Sequence, residues 1–384
     1  MPKVSYLFAF FTTILFLYGT ATPNAAKPKA PTYNPKHTMK YSVIVPVYNR
    51  PDEVDELLES LTTQTFKDFE VVIVEDGSTL TCKDICKGYT GALDIHYFSK
   101  DNSGPGKSRN YGAERAKGEY LIILDSDVVL PPEYFNAVNR ELENEDADAF
   151  GGSDSAHLSF TDTQKAISYS MTSFFTTGGI RGGKKKKLDK FYPRSFNMGI
   201  KRDVYKALNG FSEMRFGEDI DFSIRIFKAG YKCRLFPDAW VWHKRRTDFR
   251  KFFRQVYNSG IARINLYKKY PDSLKLVHLL PMVFTVGAIA LILTSAVGRI
   301  LMEYDDIDKW YWLCAAPWLP LIAYSLLIFI DSSRANKSMR IGIMSIGAAF
   351  VQLMGYGCGF ISAWWKRCVL GQNEFHAFDK TFYK

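Results

Sequence analysis

The feature that most restricts the fold is Tyr120-Leu-Ile-Ile-Leu124, five apolar residues that stop abruptly at Asp125-Ser126-Asp127. A run this short, with no polar alternation, suits a strand buried on both faces of a parallel sheet. Two prolines, Pro131 and Pro132, then open the next segment. Carboxylates one residue apart at the C-terminal end of a buried strand lie where open α/β sheets bind ligands. Their oxygens suit hard divalent cations, Mg²⁺ or Mn²⁺, which are often shared with substrate phosphates. A polar turn that merely caps a strand would explain the same three residues. The rest of the chain has to decide.

That remainder repeats the pattern. Tyr41–Val47 is β-branched and ends at Tyr48-Asn49, after which Pro51 opens a helix with Val54, Leu57, Leu58 and Leu61 at helical spacing. Phe69–Val74 predicts a second strand ending at Glu75-Asp76, and Ile95–Phe98 a third. Strand–helix alternation of this kind makes a parallel sheet with right-handed crossovers. The C-terminal strand ends then share one edge, so their polar clusters converge on one crevice. Gly104-Pro105-Gly106-Lys107-Ser108-Arg109 adds backbone N–H groups and cations suited to phosphate. It lacks the P-loop spacing, and it is too short and too late in the chain for the dinucleotide fingerprint. Acidic groups beside a phosphate-binding turn imply a metal-bound nucleoside diphosphate, not NAD.

Further on, Thr161–Phe175 reads as a helix and the stretch from Gly178 to Lys187 as a Gly-rich, strongly basic loop. This loop is either a solvated charge run or a grip on an anionic acceptor or lipid headgroups, with Lys184 and Lys185 as acceptor-side candidates. Asn197–Phe211 reads as a strand and a helix. Gly217-Glu-Asp-Ile-Asp221 begins an amphipathic helix whose early acidic residues the helix dipole alone would favour. Lys232–Phe236 and Ala239–Trp242 read as strands, the second ending at His243. A lone histidine is more often structural than a ligand.

The 50 Lys and Arg outweigh 40 Asp and Glu, a net charge of +10 that points to an anionic partner or a membrane surface. The six cysteines show no zinc spacing or disulfide framework and read as ordinary thiols. Leu276–Ile300, Trp310–Ile330 and Ile341–Trp365 each reach the roughly 20 residues that cross a bilayer, the last being Gly-rich. Acidic residues in Arg299–Lys309 read as external, and Arg334, Lys337 and Arg340 as cytoplasmic. That places a multi-pass protein in the inner cell membrane with its soluble domain in the cytoplasm. The expected organisation is a hydrophobic segment at 1–22, anchor or signal-like unless the true start is Met39, and a linker at 23–39. A catalytic domain at 40–248 and a basic amphipathic interfacial segment at 249–275 follow. Two to three spans at 276–365 and a tail at 366–384 complete it.

In order and spacing, Val43-Ile-Val-Pro-Val-Tyr-Asn49, Glu75-Asp-Gly-Ser78, Gly104 to Asn110, Asp125-Ser-Asp127, Asn197-Met-Gly-Ile-Lys-Arg202, Gly217-Glu-Asp-Ile-Asp221 and His243 resemble glycosyltransferase family 2. The resemblance covers about residues 40–260. It implies the GT-A fold, an α/β, Rossmann-like, mostly parallel sheet, here followed by transmembrane helices. By the same resemblance Pro46, Tyr48 and Asp76 would hold the base, Arg109 would contact the nucleotide, and Asp125 would face the ribose or metal. Asp127 and His243 would bind Mn²⁺ or Mg²⁺. Asp219 matches the catalytic base, with Glu218 beside it on the acceptor side. The implied partners are a UDP- or GDP-sugar, a glycan or lipid-linked acceptor and the membrane, with no nucleic acid.

Glu75 departs from the commoner Asp. After His243 there is no Gln-x-x-Arg-Trp pattern, Arg254-Gln255 being only a fragment, which favours transfer of a single sugar over processive synthesis, while inversion at the anomeric centre is what the resemblance implies. A polyprenyl-phosphate sugar transferase and a catalytically silent nucleotide-binding membrane scaffold are the competing readings.

Overall fold

The computed structural model describes residues 39–155, 160–178, 191–214, 216–244, 246–304 and 307–373. The N-terminal hydrophobic segment, almost all of the linker, Lys184, Lys185 and most of the tail lie outside these residues. The first half alternates as expected: β1 (Tyr41–Val47), α1 (Pro51–Thr62), β2 (Phe69–Asp76), α2 (Lys83–Tyr89), β3 (Asp94–Lys100), α3 (Pro105–Arg115) and β4 (Tyr120–Leu124). Next come β5 (Val128–Val129), α4 (Tyr134–Asn144), β6 (Ala149–Gly151), β7 (Asp154–Ser155), α5 (Asp162–Thr172) and α6 (Phe174–Thr177). The soluble part closes with β8 (Asn197–Lys201), α7 (Arg202–Ala207), α8 (Glu218–Lys228), β9 (Cys233–Leu235) and β10 (Val241–His243).

Seven strands form one sheet in the order β3-β2-β1-β4-β8-β6-β9, and β5-β10-β7 form a small second one. β1 to β4 are parallel, while β8 runs antiparallel to both β4 and β6. The sheet is therefore mostly parallel, a GT-A arrangement. Alternate residues of the central strands feed two separate cores: Val43, Val45, Ile73 and Ile122 on one face, Ile44, Val72, Leu121 and Ile123 on the other. Each side chain buried this way contributes about 1.5–3 kcal/mol, which is why these strands read as continuous apolar runs.

Among the described residues five α-helices follow: α9 (Phe249–Lys269), α10 (Leu280–Tyr304), α11 (Ile307–Ala315), α12 (Trp318–Asn336) and α13 (Met339–Trp364). Leu280–Tyr304, Trp310–Asn336 and Met339–Val369 are long and apolar enough to cross a membrane. The second is interrupted at Ala316-Pro317, where proline removes a backbone donor. α9, expected to lie on a membrane surface, is packed along α13. A Cβ at Gly260 would lie 2.2 Å from the Tyr356 carbonyl oxygen, and one at Gly359 2.0 Å from that of Tyr257. The Gly-rich composition of α13 thus serves close backbone approach.

The soluble domain touches the apolar helices a second time through α5. Tyr169 donates to Asp331 at 2.6 Å, and Arg340 Nε lies 3.3 Å from an Asp162 oxygen. The facing ends of α12 and α13 therefore lie against α5. Replacing Gly260 by valine should destabilise the protein by about 1–3 kcal/mol or more, because backbone atoms must move apart. Gly347→Ala, whose Cβ would meet only Phe249 at 3.7 Å, should melt like the wild type in detergent.

Candidate active site

The strand ends that the sequence places together do meet at one edge. Asn49, with φ 52°, accepts at Oδ1 from the backbone N–H groups of Thr79 (2.8 Å) and Leu80 (2.9 Å), tying the β1 loop to the β2 loop. Glu75 is fully buried and accepts from Cys82 N–H at 2.9 Å and Tyr97 O–H at 3.2 Å. The longer side chain is thereby used to brace the turn beneath the crevice. Asp76 accepts from Ser103 N–H and Gly104 N–H, each at 2.9 Å, and from Lys100. Its carboxylate shapes the turn before α3. Pro46 lies near the end of β1, and Tyr48 is exposed at the rim.

Beyond β4, Asp125, Asp127 and His243 each offer a ligand atom, all within 4.8 Å of one another. His243 is placed by pairing with Val128 across β10 and β5, and its ring stacks on Phe196 at 4.7 Å. Its Nε2 lies 3.2 Å from Asp127 Oδ1, and Arg50 donates to Asp127 Oδ2 at 2.7 Å. Burial pushes the Asp127 carboxyl up, but His243 and then the guanidinium groups of Arg50 and Arg246 outweigh it and hold the group well below the usual carboxylate range. Asp127 Oδ1 is buried and makes no hydrogen bond among the described residues. Two carboxylates and an imidazole whose ligand atoms lie this close are a donor set that fits a divalent cation such as Mn²⁺.

Arg109 is buried, and its guanidinium bridges Asp125 (2.7 Å) and Glu218 (3.1 Å). It lies in the crevice wall but is turned onto carboxylates. Gly217 precedes α8 with φ 81°, a left-handed conformation that bends the chain so that Glu218 and Asp219 begin the helix at this edge. Burial pushes the Glu218 carboxyl up to about 7, opposed by Arg109 and reinforced by Asp219. Asp219 is partly exposed, held by Arg194 at 3.1 Å and by the N–H of Ile220 at 2.8 Å. Asp221 is fully buried against Arg225 (3.0 Å) and Lys269 (2.6 Å).

Every described candidate residue of the sequence thus comes to this edge. The sequence reading missed Arg50, Arg194 and Phe196. Arg50 follows directly on the first strand motif and could have been noticed there. Arg194 and Phe196 carry no local signal, because only the packing of the 191–196 segment brings them to α8 and β10.

Residues 42–208 match the family model described as glycosyl transferase family 2. An uncharacterized glycosyltransferase of Rickettsia felis is 34% identical over 140 residues, 36% of this chain and 23% of that protein. The poly(ribitol-phosphate) beta-N-acetylglucosaminyltransferase TarS of Staphylococcus aureus is 42% identical over 93 residues, 23% of this chain and 16% of that protein. The matched segments thus span less than a quarter of these relatives' length. Mannosyltransferase PcManGT of Pyrobaculum calidifontis, solved with GDP-Man and Mn²⁺, shares the fold with TM-score 0.52 and 16% identity over 94% of this chain and 95% of that one.

The Glu218 carboxyl makes stability depend on pH. Its folded value of about 7 lies above the ordinary 4.5, so the folded state takes up a proton across that window. Stability from this group is therefore present below about 4.5 and is lost as pH rises through 7. Glu218→Gln should flatten the pH dependence of thermal melts across this range, and an unchanged profile would refute the assignment.

Proposed function

Over residues 42–208 this chain is a member of glycosyl transferase family 2, and from that membership and the geometry of the crevice we propose that it is a metal-dependent, inverting glycosyltransferase. It moves one sugar from a UDP- or GDP-sugar to a glycan or lipid-linked acceptor at the inner cell membrane, its catalytic domain in the cytoplasm. The observation that carries the reading is the gathering of Asp125, Asp127 and His243 within ligand distance at the C-terminal sheet edge. Asp219 stands beside Glu218, which shares Arg109 with Asp125. The shared fold of the mannosyltransferase solved with GDP-Man and Mn²⁺ agrees with this reading.

In this reading Asp127 and His243, with Asp125, would hold Mn²⁺ or Mg²⁺. When bound, the cation supplies neutralisation of the charge that develops on the departing diphosphate. Pro46, Tyr48 and Asp76 flank the base, and the lone pairs that Asp76 has left can accept from a base N–H. Arg109 acts on the nucleotide through Asp125, whose carboxylate it orients. Asp219 takes the proton from the acceptor hydroxyl, with Arg194 fixing the direction of its carboxylate. Glu218, Lys184 and Lys185 belong to the acceptor side. The three apolar helices, with α5 and α9 docked on α13, would keep this crevice close to a membrane-borne acceptor.

Detergent-solubilised protein should bind one of UDP, GDP, ADP and CDP in a Mn²⁺-dependent way, and Asp127→Ala should abolish that binding. No binding of any of them by folded protein would favour a silent scaffold. Asp219→Asn should lower kcat by about 10²–10⁴-fold while donor binding is kept. Transfer at the wild-type rate would remove Asp219 as the base.

A further inference from the structure

The opposite edge of the main sheet carries a second set of ligand atoms. Ser42, Glu70 and Asp94 are registered partners across β1, β2 and β3, and His96 follows Asp94 by two residues, so all four share one face. An oxygen of Glu70, an oxygen of Asp94 and a ring nitrogen of His96 lie within 4.8 Å of one another. His96 Nε2 is 3.2 Å from Glu70 Oε2 and 3.3 Å from Asp94 Oδ1. Charge-assisted hydrogen bonds are shorter, about 2.7–2.9 Å. Tetrahedral ligands at bond lengths of about 2.0–2.2 Å are instead about 3.3–3.6 Å apart, close to the separations seen here.

Glu70 supplies the independent observation. Its side chain is fully buried, and Oε1 accepts from Ser42 Oγ and from Lys117 N–H, each at 2.6 Å. Ser42 in turn accepts from Gly118 N–H at 2.7 Å. Oε2 is left buried and without a hydrogen bond among the described residues, aimed at the His96 nitrogen. A carboxylate oriented by fixed outer partners, with one oxygen unsatisfied, is how proteins hold a metal ligand. Leaving that oxygen without a partner is otherwise costly. Asp94 and His96 are partly exposed, so an ion can enter from solvent. Lys117 is the competitor: its ammonium lies 3.7 Å from Glu70 Oε2 and 3.3 Å from His96 Nε2, but on a largely exposed stem that can swing away.

We propose that Glu70, Asp94 and His96 form a zinc-type transition-metal site, distinct from the Asp125, Asp127 and His243 set, that clasps β2 to β3. Strand-fixed ligands near tetrahedral spacing suit Zn²⁺ or Co²⁺, whereas the Asp125, Asp127 and His243 set would share its ion with a diphosphate. The site takes no part in sugar transfer and stands whether or not that activity is correct.

The test uses the full chain without a polyhistidine tag, stripped by chelator and dialysed against Zn²⁺ alone, with bound metal counted by elemental analysis. Asp127→Ala should retain a zinc ion that His96→Ala and Asp94→Ala each lose, with affinity at least tenfold weaker. Asp94 is half exposed, so its variant decides the matter if His96→Ala fails to fold. Co²⁺ in the Asp127→Ala protein should give the intense visible bands of tetrahedral coordination, missing when His96→Ala is added to it. Lys117→Gln should bind zinc more tightly. If Asp127→Ala takes up no zinc, or Asp94→Ala keeps as much with equal affinity, the site does not exist and the cluster is an ion pair of His96 and Lys117 with the carboxylates.

Discussion

A single guanidinium holds the two halves of the crevice together. Arg109 projects from α3, meets Asp125 at the end of β4, and meets Glu218 at the start of α8. With 3% of the residue exposed, the charge is desolvated, and such a charge is tolerated only where carboxylates satisfy it. Removing one partner of a buried pair typically costs about 3–5 kcal/mol, because the other charge is left uncompensated. The same contact holds Asp125 against the start of α8, where Asp219 follows Glu218. Burial, with Asp219 beside it, keeps the Glu218 carboxyl raised in spite of this guanidinium, which pulls the other way.

The parallel sheet makes its two edges chemically different. At the C-terminal edge the strands end in turns, and Asp125, Asp127 and His243 are offered by loops and by the small second sheet. At the other edge Glu70, Asp94 and His96 are strand residues fixed by register.

The apolar helices are joined to the soluble domain by backbone contact and hydrogen bonds more than by a linker. Gly260 and Gly359 let α9 and α13 approach so closely that no side chain fits between them, and Tyr169 and Arg340 fasten α5 to the facing ends of α12 and α13.

Much of the site was legible because sheet physics links sequence to place. An apolar run that stops at acids marks a strand end, and parallel strands put such ends on one edge, so Asp76, Asp125 and Asp127 could be grouped from order alone. The three long apolar helices followed from length and composition. Four things depended on the tertiary structure: the commitment of Arg109 to two carboxylates, the arrival of Arg50, Arg194 and Phe196, the packing of α9 on α13, and the pairing of Glu70 with His96. Each involves side chains distant in sequence, whose meeting depends on strand register and helix crossing. Hydrophobic periodicity is a local property and determines elements and faces, whereas the partners of a buried charge are chosen by whichever neighbours the packed fold brings within a few ångströms.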